Sequence, residues 1–246
     1  MSNNKVVSVC IATYNGEKYL RQQLDSILSQ IGEGDEVVIS DDNSTDGTLA
    51  LIQSYRDERI RVFRHDSSQI TTTFPLDRPT HNFENALIHA RGDILFLADQ
   101  DDVWLPGKVS RMLQALENAD MAMHDCILVD TELNQLAPSY FDVVNATTSA
   151  WRNAMKCTLL GCCMAMRRCV LERALPFPKT RVGHDLWLGM VADRKFRFTL
   201  VREPLLMYRK HGKSMTTAGK KSKYGLWFKF RYRLTILRHL FLILNS

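Results

Sequence analysis

Apolar positions along the first hundred residues switch between two periods. Val6–Ala12 reads VVSVCIA, an apolar run of strand length broken only by Ser8. Lys18–Gln30 then places Tyr19, Leu20, Leu24, Ile27 and Leu28 at helical spacing. EVVIS at Glu36–Ser40 predicts a second strand, Thr45–Tyr55 a helix, and Ile60–Phe63 a third strand. His81–Ala90 predicts a further helix and ILFLA at Ile94–Ala98 a fourth strand. Strands so uniformly apolar are covered on both faces. Their alternation with helices predicts an α/β fold with a mostly parallel central sheet and helices on both faces. Such sheets bind ligands beyond the carboxyl ends of their strands, where the strand order reverses.

The second half is less regular. A helix follows Pro106 as far as about Asn118, and Met121–Val129 predicts a strand. Thr131–Ala150 is polar and without period, which predicts a loop. Thr158–Met166 reads as strand, Asp185–Ala192 as helix and Phe196–Val201 as strand, with Glu203–Thr217 irregular. There is no internal repeat. The pattern divides the chain into one domain over residues 1–218 and a tail over 219–246.

Composition changes this picture little: 45% apolar and 24% charged residues in 246 are ordinary for a globular chain. Charge placement changes it more. The tail holds seven Lys/Arg (Lys220, Lys221, Lys223, Lys229, Arg231, Arg233, Arg238) and no acid, leaving 25 Lys/Arg against 27 Asp/Glu elsewhere. None of the six cysteines forms a CxxC pair, and no His cluster completes a zinc spacing, so free thiols are expected. With no apolar signal segment at Met1–Val6, the expected location is the cytoplasm.

Three acidic clusters follow predicted strands or open a helix: Asp41-Asp42-Asn43-Ser44-Thr45-Asp46-Gly47, Asp99-Gln100-Asp101-Asp102, and His184-Asp185. The first and third also suit turns and helix caps. The second packs three carboxylates into four residues, and their mutual repulsion is relieved by a cation. Extended backbone there would turn Asp99 and Asp101 to the same side. Cys162, Cys163 and Met164 read as core packing, Trp104 and Trp187 as core or pocket walls, and His124-Asp125 as a turn.

Read together in order and spacing, VSVCIATYNG, ISDDNSTDGT and LADQDDVWLPGK resemble glycosyltransferase family 2 of the GT-A fold, from Val6 to about residue 215. Tyr14, Asn15, Asn82 and HDLW resemble the branch with bacterial rhamnosyltransferases and related polysaccharide enzymes. The resemblance implies a nucleoside-diphosphate-sugar donor and a Mg²⁺ or Mn²⁺ cofactor. The acceptor it implies is a growing surface glycan or a lipid-linked sugar. Ala12, Tyr14, Glu17 and Asn82 would then lie around the nucleotide, and Asp41 would accept a hydrogen bond from the base. Asp101 would ligate the metal directly, with Asp99 at the ribose or the metal. Asp185 would be the base, and Arg209 and His211 would close over the diphosphate. Where many relatives carry Arg-Asn, this chain has Glu84-Asn85, so one phosphate or ribose contact loses its residue.

The chemistry of the residues agrees with that class. Breaking a sugar–diphosphate bond requires a stabilised leaving group and an acceptor hydroxyl that loses its proton. A single base opposite the leaving group implies direct displacement with inversion. A nucleotidyltransferase or phosphohydrolase would want a Gly-rich loop with Lys after the first strand, which TYNGEK lacks. Intact acids argue against a catalytically idle nucleotide-sugar-binding protein. Tyr224–Leu244 is apolar, aromatic and basic, and its cations break any membrane span of roughly 20 residues. It reads as a helix packed on the domain or as an interfacial helix on the inner membrane. Nucleic acid is not an expected partner, because the lining of the site is acidic.

Overall fold

The computed structural model describes residues 5–70, 74–179, 182–210 and 225–245. Its first half alternates as the apolar pattern predicts: β1 (Val7–Thr13), α1 (Glu17–Leu28), β2 (Glu36–Asp41), α2 (Thr48–Ser54), β3 (Ile60–Arg64), α3 (Asp77–His89) and β4 (Ile94–Asp99). The second half comprises β5 (Val103–Trp104), α4 (Lys108–Ala115), β6 (Met121–Val129), β7 (Gln135–Ala137), α5 (Tyr140–Val144) and α6 (Ala150–Met155). It continues through β8 (Met164–Arg167), α7 (Arg168–Ala174), α8 (His184–Lys195), β9 (Phe198–Arg209) and α9 (Leu226–Asn245).

The nine strands of the described residues share one sheet in the order β3-β2-β1-β4-β8-β6-β9-β5, with β7 beside β6. The β3-β2-β1-β4 part is parallel throughout. The chain steps outward from β1 to β3, then returns to the other side of β1, so the order reverses between β1 and β4. β8 enters antiparallel to both β4 and β6, and β9 runs parallel to β6. Val9, Cys10, Ile11, Val37, Val38, Ile39, Leu95, Phe96 and Leu97 are fully buried, as strands covered on both faces must be. Leu20, Leu24 and Ile27 close α1 onto this core, each contributing about 1.5–3 kcal/mol by leaving water.

Several sequence expectations are corrected. α3 starts at Asp77 rather than His81, because Pro79 falls in its first turn, where no backbone N–H is needed. The expected loop at 131–150 contains β7 and α5, and α6 opens at Ala150. α5 is only five residues, too short to show a period, and buries Tyr140, Phe141 and Val144. His124-Asp125 is not a turn but lies buried within β6. Of Thr158–Met166, only the last three residues are strand, Gly161–Cys163 forming a 3-10 turn before β8. Glu203–Arg209 is strand rather than irregular. Pro204 is accommodated where the β6–β9 register shifts, the position at which a sheet tolerates proline. In the tail, Ile236, Leu240 and Ile243 are buried, and α9 packs on α6 and α8. All six cysteines are free.

Candidate active site

The ladder of β1 places two acids at the reversal point. Thr13 pairs in register with Asp41, and Ala12 with Asp99. The loops beyond are tied together by short polar side chains. Asn15, at φ 49° in the left-handed region that Asn tolerates, donates its N–H to Ser44 Oγ at 2.9 Å and accepts from Thr45 N at 2.8 Å. Gly16 N donates to Thr48 Oγ1, and Glu17 accepts from Gly47 N at 2.9 Å. Tyr14 is 57% exposed at the rim of this double loop.

Asp41 is fully buried beneath it. Thr13 Oγ1 donates to its Oδ2 at 2.9 Å, as does Ser44 Oγ, while Ser44 N donates to Oδ1. One lone pair on Oδ1 is left by this arrangement. Asn82 reaches the same place from α3, donating to Thr13 O at 3.1 Å; its buried Oδ1 has no hydrogen-bond partner among the described residues. Glu84 accepts from Phe177 N at 2.7 Å and faces His81, so it anchors the segment before α8.

The acidic loop after β4 does not stay extended. It turns at Gln100 and Asp101, so the alternation expected of Asp99 and Asp101 does not apply. The turn gathers Asp99, Asp102 and Cys162, whose ligand atoms lie within 4.8 Å of one another. Burial, then Asp101, pushes the Asp99 carboxyl up to about 7. Burial, then Asp101 and Asp99, raises Asp102 well above the carboxylate range. Asp102 Oδ1 accepts from Arg209 N at 2.9 Å. Its buried Oδ2 meets no N–H or O–H donor among the described residues, the Cys162 thiol being its polar neighbour. Crowded, desolvated oxygens with an unsatisfied atom fit a divalent cation of the Mg²⁺ or Mn²⁺ kind, which takes oxygen donors. Below them lies Lys108, fully buried, its Nζ donating to Cys162 O at 2.9 Å and standing 4.0 Å from the Trp104 ring centroid. Burial lowers this ammonium to about 8.

Two residues that the sequence did not single out hold this loop to β1 and α1. Gln100 Oε1 accepts from Tyr14 N at 2.9 Å and its Nε2 donates to Tyr14 O at 3.1 Å. Gln23 Nε2 donates to Asp99 O at 2.8 Å, which explains a buried glutamine in α1. Arg209 is buried behind the loop. Its guanidinium donates to Asp101 O, Thr131 O and Gln22 Oε1, and stacks over Tyr19. His211 lies outside the described residues.

Asp185 stands in the first turn of α8, half-buried, with Oδ1 accepting from Leu186 N at 2.7 Å. A Cβ at Gly161, the neighbour of Cys162 in the acidic cluster, would lie 3.7 Å from Asp185 Cβ, so the start of α8 closes on that cluster. His184 stacks on Phe83 of α3, ring centroids 4.1 Å apart, and donates its backbone N–H to Thr80 Oγ1. Acids from two adjoining strand ends, Asp41 and Asp99, thus gather at the reversal point of a GT-A sheet.

The model of glycosyl transferase family 2 matches residues 8–175, and the chain belongs to that family. An uncharacterized glycosyltransferase of Nostoc sp. is 27% identical over 221 residues, 84% of this chain and 65% of that one. The chain thus spans slightly less than two thirds of that relative. TuaG of Bacillus subtilis, named as a teichuronic acid biosynthesis glycosyltransferase, is 28% identical over 94% of this chain and 90% of its own. A Campylobacter jejuni enzyme named GalNAc(5)-diNAcBac-PP-undecaprenol beta-1,3-glucosyltransferase is 28% identical over 52% of this chain and 40% of its own. Staphylococcus aureus TarS, solved with UDP-GlcNAc, superposes with a TM-score of 0.68 over 97% of this chain and 70% of that one at 21% identity. The Pyrobaculum calidifontis mannosyltransferase PcManGT, solved with GDP-Man and Mn²⁺, gives 0.60 over 98% of this chain and 64% of that one. These two likenesses show the fold.

Proposed function

We propose that this glycosyltransferase moves a sugar, with inversion, from a nucleoside-diphosphate sugar to a hydroxyl of a glycan or lipid-linked acceptor in bacterial surface polysaccharide synthesis. The observation that carries this is the Asp99–Asp102–Cys162 cluster at the strand-order reversal, with Asp185 against Gly161, the neighbour of Cys162. The names of the teichuronic acid and undecaprenol-linked relatives support the acceptor class.

In this reading Tyr14, Ala12 and Glu17 border the nucleotide, with Asn82 Oδ1 and the remaining Asp41 lone pair as its polar anchors. Asp99, with Asp101 or Asp102, would hold Mg²⁺ or Mn²⁺. When bound, that ion supplies Lewis-acid neutralisation of the leaving diphosphate. Asp185 Oδ2 takes the acceptor proton while Leu186 N–H holds Oδ1 in place. The acceptor oxygen forms its bond to the anomeric carbon as the bond to the diphosphate oxygen breaks, and the nucleoside diphosphate leaves with the electron pair. Arg209 serves by fixing the backbone of Asp101, and a diphosphate contact is left to His211. The proposed setting is the cytoplasmic face of the membrane.

A donor panel containing UDP-GlcNAc, GDP-mannose and a nucleotide-linked rhamnose tests this. Metal-dependent release of nucleoside diphosphate from one donor, lost in Asp185→Asn, is the expected result. Release of pyrophosphate from a nucleoside triphosphate instead would assign the site to nucleotidyl transfer.

A further inference from the structure

The structure separates two faces of α9 that the sequence alone superimposes. Tyr232, Ile236, Leu240 and Ile243 face the domain, the last three buried and Tyr232 5.3 Å from the Phe74 ring centroid. The opposite face carries a second apolar stripe. Trp227, Leu234 and Phe241 recur every seven residues, with Phe230 between, and are 71%, 57%, 64% and 57% exposed in that order. A helix repeats its face over this spacing, so the four side chains form one strip roughly 20 Å long. Arg231 and Arg238, also seven apart and exposed, run along one flank, and exposed Arg233 lies on the other. No Asp or Glu occurs between residues 225 and 245.

We infer that this outer face of α9 docks on the interface of an anionic lipid bilayer, rings at headgroup depth and arginines on lipid phosphates. Aromatic and aliphatic side chains flanked by snorkelling arginines match that boundary. A second copy on the same strip would bring its own Arg231 and Arg238 to the seam, with no acid on the helix to pair them. Crossing the bilayer is excluded for the described helices, none of which is long and apolar enough.

The inner face gives the docking a consequence. α9 packs against α8, whose first turn carries the proposed proton acceptor Asp185. Trp187, two residues beyond Asp185, meets His239 edge-on at 5.8 Å. One helix layer therefore separates the lipid surface from the base. A lipid-linked acceptor would present its first sugars there, and this last step rests on the function proposed above.

Vesicle flotation of the full chain tests the docking. Phosphatidylcholine vesicles with and without phosphatidylglycerol are compared, at low and high salt. The expected result is binding to the anionic vesicles alone, weakened by salt. Phe230→Ser with Phe241→Ser, and separately Arg231→Gln with Arg238→Gln, should each weaken it about tenfold or more. An unchanged thermal unfolding transition shows that these exposed changes spare the packed face. Absent binding, equal binding to neutral vesicles, or binding insensitive to both double variants would overturn the inference. So would a dimer in sedimentation equilibrium that the Ser pair dissociates while vesicles are ignored. Donor hydrolysis in vesicle-free solution reads the catalytic proposal separately, because no altered residue belongs to the proposed site.

Discussion

Asp99 would be an ordinary carboxylate in the unfolded chain. In the fold, burial and Asp101 raise it to about 7, so the native metal-free protein retains a proton that the unfolded chain releases. The sign follows: stability from this group is full below about pH 4 and is lost as pH rises through 7. The cation proposed above would have to displace that proton, so its binding should weaken as pH falls below 7. Calorimetry at pH 6.5 in two buffers of different ionisation enthalpy should reveal proton release on Mn²⁺ binding, and Asp99→Asn should abolish it. Asp185→Asn is expected to keep donor affinity while turnover falls about 10²–10⁴-fold, as loss of a general base does. Retention of turnover within a few-fold would move the role to His184. The acidic residues were legible because carboxylates crowded after an apolar strand are costly without a purpose. Gln100 was not: its use depends on facing Tyr14, 86 residues away, which no local pattern encodes. Arg209 was legible as a cation near the site, but not as one turned toward backbone carbonyls.

Among elements, α5 shows how a polar residue can build structure where periodicity is silent. Asp125, 4% exposed in β6, accepts from Phe141 N, Ser139 Oγ and Cys126 N, and so pins the start of α5 to the sheet. Asp125→Ala leaves those donors buried and should destabilise the fold by about 2–4 kcal/mol, read as a lower denaturant midpoint at unchanged slope. The packing of α8 is as specific. A Cβ at Gly161 would lie 2.6 Å from His184 Nε2 and 3.7 Å from Asp185 Cβ. Gly161→Ala should therefore displace the first turn of α8 and lower turnover more than it lowers stability, with donor affinity the control. The sequence marks Gly161 only as a glycine in an apolar run. The strands of the first half and its helices α1 and α3, of 12 and 13 residues, were legible because each is long enough to show its period. α5, α6 and α7 have five, six and seven residues, under two turns, and are held by tertiary contacts instead.

Over the whole molecule, legibility divides at β4. The parallel half follows from alternation alone, whereas the insertion of β8 between β4 and β6 joins residues far apart in the chain and leaves no local signature. The tail divides in the same way: its charge and aromatic content were visible, and which face is buried was not. Removing residues 225–246 would expose what Ile236, Leu240 and Ile243 cover, at about 1.5–3 kcal/mol for each buried side chain lost. That truncation should lower the unfolding temperature, so point changes on the outer face are the cleaner probe of docking. The clasped loops above β1 have a kinetic consequence. Residues 14–17, 44–48 and Gln100 bond to one another across the loops, in addition to the Asp46–Thr48 bonds inside the second segment. None of the three can fray without freeing a partner in another, so their slow deuterium uptake should rise together, with one shared opening energy. Gln100→Ala should then accelerate amide exchange at Asn15 and Gly16 as well as at Tyr14, although Gln100 bonds to neither.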